Sequence, residues 1–133
     1  MSARIEGRAE DLLTGKNFAH VATLRADGSP QVSPTWIDVQ DGRPVLNTAE
    51  GRTWPRNLER DPRITLEVQN MENPYEYVEI RGRVAERTHE GADEHIDRLA
   101  KKYLGVEQYP MRQPGEQRLI IRVEPEQVRV MGG

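Results

Sequence analysis

The chain has 133 residues, 35% of them hydrophobic and 31% charged, which suits a single domain over residues 1–133 with one modest core. It contains no cysteine, which excludes disulfides, thiolate metal sites and thiol catalysis. The net charge of -3 argues against a nucleic-acid partner, and no apolar run approaches the length of a membrane span, so we expect a cytoplasmic protein without membrane contact.

The first half of the chain is predicted to form a short helix followed by an antiparallel meander. The helix covers residues 3–13, and three strands follow at residues 18–24, 31–39 and 44–48. An Asp-Gly pair separates each strand from the next and is typical of a tight hairpin turn. Pro34 lacks a backbone donor, so the second strand should lie at an edge or contain a bulge.

The second half mixes helices with longer strands. Thr53 is the expected N-cap of a helix, Gly82 marks an expected bulge, and Gly105 should end a second helix. The predicted elements are helices at residues 54–60 and 89–103 and strands at residues 64–68, 75–87 and 119–125, with a final piece at residues 127–131. Six short antiparallel strands in so few residues favour a mainly β barrel that carries α-helices.

The segment from Asn47 to Leu58 is the most informative for function. It leaves a predicted strand and enters a predicted helix, where unpaired N–H groups and the positive end of the helix dipole suit a phosphate. Arg52 can offer a bidentate fork to the same anion, and Arg56 lies one helical turn later. In a second interpretation, which the residues alone leave open, both arginines form a solvent-exposed face.

Several stretches of the chain resemble a known family. The string Arg52-x-x-x-Arg56-Asn57-Leu58-x-Arg60-Asp61-Pro62-Arg63 closely resembles the signature of the pyridoxamine 5'-phosphate oxidase-like split barrels. The hairpin at residues 22–32, and residues 103–105 followed by Tyr109-Pro110, look like the branch of flavin/deazaflavin oxidoreductases that depends on coenzyme F420. The resemblance covers about residues 18–130, and the hairpin and the arginine-rich string together make it fairly specific.

The resemblance implies a six-stranded antiparallel split β-barrel of the FMN-binding type, which forms a homodimer and holds its cofactor at the subunit interface. The implied function is hydride transfer from reduced coenzyme F420 to a small unsaturated organic substrate. The cofactor-binding residues implied by position are Gln31, Val32, Ser33 and Pro34 along the ring, Asn47 and Thr48 near the ring or ribityl chain, Arg52, Thr53, Arg56 and Asn57 at the phosphate, and Tyr75 and Tyr77 from the partner subunit.

Two tryptophans have open roles. Many members of the family carry a lysine where this chain has Trp54, so that residue either stacks on the coenzyme or anchors the core. Trp36 lies in a predicted strand and is either a core residue or the wall of a pocket. Without the family, Tyr75 and Tyr77 would be interpreted as cross-strand packing.

Other kinds of chemistry find little support in the sequence. The three histidines lack the spacing of metal ligands, so we expect no metal site, and Ser29 and Ser33 lack the context of a hydrolase nucleophile. No residue stands out as an obligatory acid or base, so catalytic residues are left unassigned. Three hypotheses remain: an F420-dependent reductase, an FMN-binding oxidase or reductase on the same fold, and a non-catalytic carrier of F420 or a flavin.

Overall fold

A computed structural model describes residues 3–132. The chain forms three helices and a seven-stranded antiparallel sheet with the strand order β2-β1-β5-β6-β7-β4-β3. In chain order the elements are α1 (Arg8–Thr14), β1 (Ala19–Leu24), β2 (Pro30–Thr35), β3 (Asp38–Gln40), β4 (Arg43–Ala49), α2 (Thr53–Arg60), β5 (Arg63–Asn70), β6 (Asn73–Thr88), α3 (Ala92–Leu104) and β7 (Arg118–Met131). None of the helices within residues 3–132 is long and apolar enough to cross a membrane.

The sheet has seven strands rather than the predicted six, because the strand predicted over residues 31–39 is broken into β2 and β3. The break lies at Trp36 and Ile37. The backbone N–H of Ile37 donates to the hydroxyl of Tyr103 at 3.2 Å, and its carbonyl accepts from Nζ of Lys102 at 2.8 Å. Side chains of α3 therefore satisfy the backbone groups that a neighbouring strand would otherwise bind.

The break also rolls the sheet into a barrel. β2 and β3 are the two ends of the strand order, yet only Trp36 and Ile37 separate them along the chain. Because one extended residue spans at most about 3.6 Å, the two edges must approach within about 11 Å of each other at this point. β2 pairs only with β1, so Pro34 lies on an edge strand, as predicted.

The interior of the barrel is filled by one face of each long strand, as the alternating pattern predicts. Val78 and Ile80 of β6 are fully buried between exposed or half-buried neighbours, and Leu66 of β5 lies opposite Ile80. The helix α1 contributes buried apolar residues to the same cluster, including Leu12 and Leu13. The core is thus closed by α1.

Glycines explain three helix boundaries and one bulge of the sheet. α1 and α3 begin later than predicted, because Gly7 and Gly91 precede them with φ of 59° and 77°, which is outside the helical region. α3 ends at Gly105 with φ of 73°, as predicted. The predicted bulge is confirmed, since the β6–β7 register shifts at Gly82, where a Cβ would lie 2.2 Å from the carbonyl oxygen of Glu124.

The helix α2 starts one residue earlier than predicted. Thr53 is its first helical residue, so the expected N-cap role of Thr53 is wrong. Arg52 occupies the cap position in an extended conformation, with φ of -76° and ψ of 155°, and its side chain makes no capping hydrogen bond. The N–H groups of the first turn of α2 therefore lack this side-chain partner.

A buried acid on β6 ties α1 to the sheet. Arg8 donates two hydrogen bonds to the carboxylate of Glu76, and Asn70 donates a third at 2.8 Å. The hydrogen bonds from Arg8, and then that from Asn70, lower the pKa of Glu76 from its ordinary 4.5 to about 2.

Because the pKa of Glu76 is lowered in the folded protein, the free energy of unfolding should decrease in acid. Above pH 4.5 Glu76 is ionised in both states and the contact with Arg8 is complete. As the pH falls from 4.5 to about 2, the unfolded chain binds the proton first, so the free energy of unfolding decreases. Urea unfolding at several pH values should show a shallower decrease for Glu76→Gln. Glu10→Gln, an exposed change on α1, is the matched control and should keep the slope of the parent protein.

Candidate functional site

A pocket of about 220 Å³ lies at the seam of the barrel. It is bounded by the break between β2 and β3, by β4 and β7, by the start of α2 and by the connection from α3 to β7. Its lining residues are Thr35, Trp36, Asn47, Arg52, Ile96, Tyr109, Met111 and Arg118. Of the cofactor residues implied by the sequence, Asn47 and Arg52 line this pocket.

One wall of the pocket is aromatic. The ring of Trp36 stacks on that of Tyr103 with a centroid distance of 5.2 Å and an interplanar angle of 5°. Tyr109 meets Trp36 edge to face at 6.0 Å. Trp36 is half-buried, so its open role is resolved in favour of the pocket wall. A rigid aromatic surface of this kind is suited to a flat ring system.

The pocket also contains a buried cation that sequence reasoning missed. The side chain of Arg118 is only 2% exposed, and its guanidinium lies 5.1 Å from the centroid of the Tyr109 ring. Its Nε donates to Oδ1 of Asn47 at 2.9 Å, and a terminal nitrogen donates to Glu116 at 2.8 Å. The sequence offers one signal, an arginine immediately before the apolar run of β7, but does not indicate which face of the strand it occupies.

Asn47 is the centre of a buried polar chain. Its Nδ2 donates to the carbonyl of Ala92 at 2.9 Å and to Nδ1 of His95 at 3.1 Å, and Nε2 of His95 donates to Asp38 at 3.1 Å. Burial alone would raise the pKa of Asp38, but hydrogen bonds from His95 and from the backbone of Val39 outweigh it and lower the pKa. These hydrogen bonds fix the orientation of the Asn47 amide, and thereby that of Arg118.

Three of the four residues expected at the phosphate lie at the exposed surface of α2. Arg52 lines the pocket and lies 3.8 Å from the carboxylate of Glu116. Thr53 follows it, and Arg56 lies one turn later, exposed and without an ion pair to any residue that the structure describes. The second interpretation, a solvent-exposed face, therefore fits Arg56 better than Arg52, which is half-exposed at the pocket mouth.

Asn57, the fourth, is buried and fully hydrogen-bonded. Its Nδ2 donates to Thr23 at 3.0 Å and to Gln31 at 2.9 Å, and its Oδ1 accepts from Arg60 at 3.0 Å. Both amide hydrogens are engaged, so none is left for an anion. Asn57 thus ties α2 to the β1–β2 hairpin.

Thr48 and Trp54 face the interior. Successive residues of a strand point to opposite faces, so Asn47 reaches the pocket whereas Thr48 is fully buried on the core side. The hydroxyl of Thr48 has no hydrogen-bond partner among residues 3–132. Trp54 is 5% exposed within the main core cluster, which supports its role as a core anchor rather than a stacking surface.

The remaining expected residues do not reach the pocket within one chain. Val32 and Pro34 are exposed on β2, and Ser33 is half-buried on the other face. Tyr75 is 83% exposed, and Tyr77 lies in a shallow groove beside Arg129 and Met131. Among residues 3–132, no three histidine, aspartate or glutamate side chains are grouped so that they could hold a metal ion.

Asn47 and Thr48 are adjacent on β4, and removal of their polar groups should change stability in opposite directions. Asn47→Ala should lower the free energy of unfolding by about 1–3 kcal/mol, because it leaves Arg118 Nε and His95 Nδ1 without partners. Thr48→Val replaces a hydroxyl that has no partner and should raise the free energy of unfolding by about 1 kcal/mol. Urea unfolding of both variants checks this. An equal loss in both would show that the Thr48 hydroxyl is bonded in solution.

Comparisons with known proteins agree with this architecture. Among solved structures, the chain is similar to an F420 reductase, with 28% identity, a TM-score of 0.79 and coverage of 90% of this chain and 94% of that chain. It is similar in fold to a conserved hypothetical protein from Mycobacterium tuberculosis (22% identity, TM-score 0.73, 98% and 86% covered). The same holds for HupZ from Group A Streptococcus (21%, 0.67, 93% and 95%).

No curated protein sequence matches the chain. A family model described as pyridoxamine 5'-phosphate oxidase matches residues 5–132, which is nearly the whole chain. The arginine-rich string and the rolled antiparallel sheet are thus explained together: the chain belongs to the pyridoxamine 5'-phosphate oxidase family.

Proposed function

We propose that this protein is an oxidoreductase that binds reduced coenzyme F420 in the pocket at the barrel seam and uses it on a small unsaturated organic substrate. The observation that carries the proposal is the pairing of two guanidinium groups, Arg52 and Arg118, with an aromatic wall formed by Trp36 and Tyr109. Such a pocket suits a ligand that joins a flat ring to a phosphate. The similarity to an F420 reductase at 28% identity supports this choice of coenzyme.

The residues of the chain would divide the binding between them. Arg52 is half-exposed at the start of α2, where it and the free N–H groups of the first turn can bind a phosphate. Arg56 extends the same positive surface. The aromatic wall orients the ring and excludes water, and the bound coenzyme supplies the hydride.

The proposal includes a homodimer. The pocket of one copy, about 220 Å³, is smaller than the roughly 300–1,000 Å³ that is usual for organic ligands, so a second copy would complete it. Val32 and Tyr75 are 62% and 83% exposed on the sheet, and a partner that covers them would remove apolar surface from water. Tyr75 and Tyr77 of the partner copy would then close the site. Light scattering that gives the mass of one 15.2 kDa chain would refute the dimer.

A non-catalytic carrier is the second candidate, because the pocket offers few proton donors. Among the residues that line it, the charged side chains are two arginines, which do not release protons, and Tyr109 is the one phenol. Consumption of reduced F420 in the presence of enone or imine substrates would support the reductase. Binding without turnover over such a panel would support the carrier.

Titration distinguishes the coenzymes. F420 and FMN each carry a phosphate ester and a flat ring, so both are titrated while tryptophan fluorescence is followed. Trp36 lines the pocket and should respond, whereas Trp54 is buried in the core and gives a constant background. We expect F420 to bind more tightly. An equal or reversed preference would favour the FMN-dependent alternative.

Arg52→Ala tests the phosphate role directly. We expect it to weaken coenzyme binding by about 1–3 kcal/mol, as the loss of a charge-assisted contact should. The matched control is Arg98→Ala, which removes an exposed arginine of α3 that lies outside the pocket lining. An affinity of Arg52→Ala that equals that of Arg98→Ala would show that Arg52 is only a surface residue.

A further inference from the structure

A carboxylate lies beside both of the arginines that line the pocket. One oxygen of Glu116 lies 2.8 Å from Arg118 and 3.8 Å from Arg52, so the acid stands between the two guanidinium groups. Its other oxygen accepts from the backbone N–H of Gln113 at 3.2 Å. The side chain of Glu116 is only 8% exposed.

This arrangement matters because a buried guanidinium requires a counter-charge. While Glu116 is in place, the charge of Arg118 is neutralised and the pocket attracts anions weakly. A phosphate or carboxylate that bound between the two arginines would have to take the position of Glu116. The acid and an incoming anion would therefore compete for the same donors.

The two partners of this ion pair are held very differently. Arg118 is fixed from behind, because its Nε is bonded to Asn47, which is in turn held by His95. This series of hydrogen bonds does not include Glu116, so Arg118 would keep its position when the acid leaves. The hydrogen bonds of the Glu116 carboxylate go to Arg118 and to the backbone of Gln113.

Glu116 lies in a turn whose backbone is hydrogen-bonded, since its N–H donates to the carbonyl of Gln113 at 3.1 Å, so the acid would leave Arg118 by rotation of its side chain. Residues 105–117 connect α3 to β7 and contain no helix or strand. Gly115 precedes the acid with φ of 75°, a conformation that favours glycine and allows a tight change of direction. The middle of the segment is anchored separately, since Arg112 and the backbone of Tyr109 both bond to Asp97 at 2.9 Å. Rotation of the Glu116 side chain away from Arg118 would leave the aromatic wall in place.

We propose that Glu116 is an internal competitor, which fills the anion position between Arg52 and Arg118 and is displaced when an anionic ligand binds there. The acid would keep the buried arginine paired in the free protein and release it to the ligand. The inference rests on the proposed function only for the choice of coenzyme as ligand; its chemistry applies to any phosphate ester.

The first test compares Glu116→Gln with the parent protein. Dissociation constants of F420, FMN and inorganic phosphate are measured by tryptophan fluorescence. We expect Glu116→Gln to bind more tightly by about three- to tenfold, because one charge-assisted contact no longer has to be broken. Glu107→Gln, which removes an exposed acid from the same segment, should leave all affinities unchanged. Unchanged or weaker binding by Glu116→Gln overturns the inference.

The second test needs no substitution. The amide of Gln113 is bonded to the Glu116 carboxylate, so displacement of the acid should speed the hydrogen exchange of this amide when the ligand saturates the protein. Exchange that is unchanged or slower overturns the inference. The coenzyme proposal fails separately: if neither F420 nor FMN binds, the phosphate measurements still decide the role of Glu116. If both coenzymes bind the parent and Glu116→Gln equally, the coenzyme proposal stands and the inference falls.

Discussion

Side chains of α3, rather than a neighbouring strand, form the hydrogen bonds to the backbone of Ile37. The shape of the molecule depends on these hydrogen bonds. Lys102 binds the carbonyl and Tyr103 the N–H of Ile37, while Lys102 also binds the carbonyl of Leu13 at 2.7 Å. Burial lowers the pKa of Lys102 to about 8 and raises that of Tyr103 to about 12, so the ammonium is mostly charged and the phenol neutral near pH 7. The ladder therefore ends at Thr35, the sheet can close on itself, and Trp36 is left at the seam.

The hydrogen-bonded polar side chains beside the seam are costly to bury, and this cost explains why the orientation of Arg118 is fixed. His95 is fully buried, yet both ring nitrogens are bonded, and Asn47 uses both ends of its amide. Satisfied networks of this kind fix one orientation of each member, because any rotation would leave a buried group without a partner. The consequence for the pocket is a guanidinium, that of Arg118, whose direction does not depend on the ligand. Binding then requires little reorganisation of the arginine.

The sequence predicts most of the sheet but only part of the site. Alternation predicts the buried face of β6, and Gly82 predicts the bulge, because both depend on local geometry. The break at Ile37 depends on side chains of α3 more than sixty residues away, which no local pattern contains. The same holds for Arg118, whose contact with Asn47 requires the register of β4 with β7. Trp54 was ambiguous because an apolar residue at a helix start can face either way.

The distribution of charge is compatible with the proposed anion site although the chain as a whole is acidic. With a net charge of -3, the protein as a whole repels anions, so attraction must come from charges within about 8 Å, the distance over which salt leaves them effective. Arg56 is exposed, Arg52 is half-exposed and Arg118 is buried, so the positive charges become progressively less solvated. A buried charge binds an anion more strongly than an exposed one does, but leaving the buried charge unpaired costs more free energy. Under the proposed displacement, Glu116 keeps the buried Arg118 paired in the free protein and leaves it available to a bound anion.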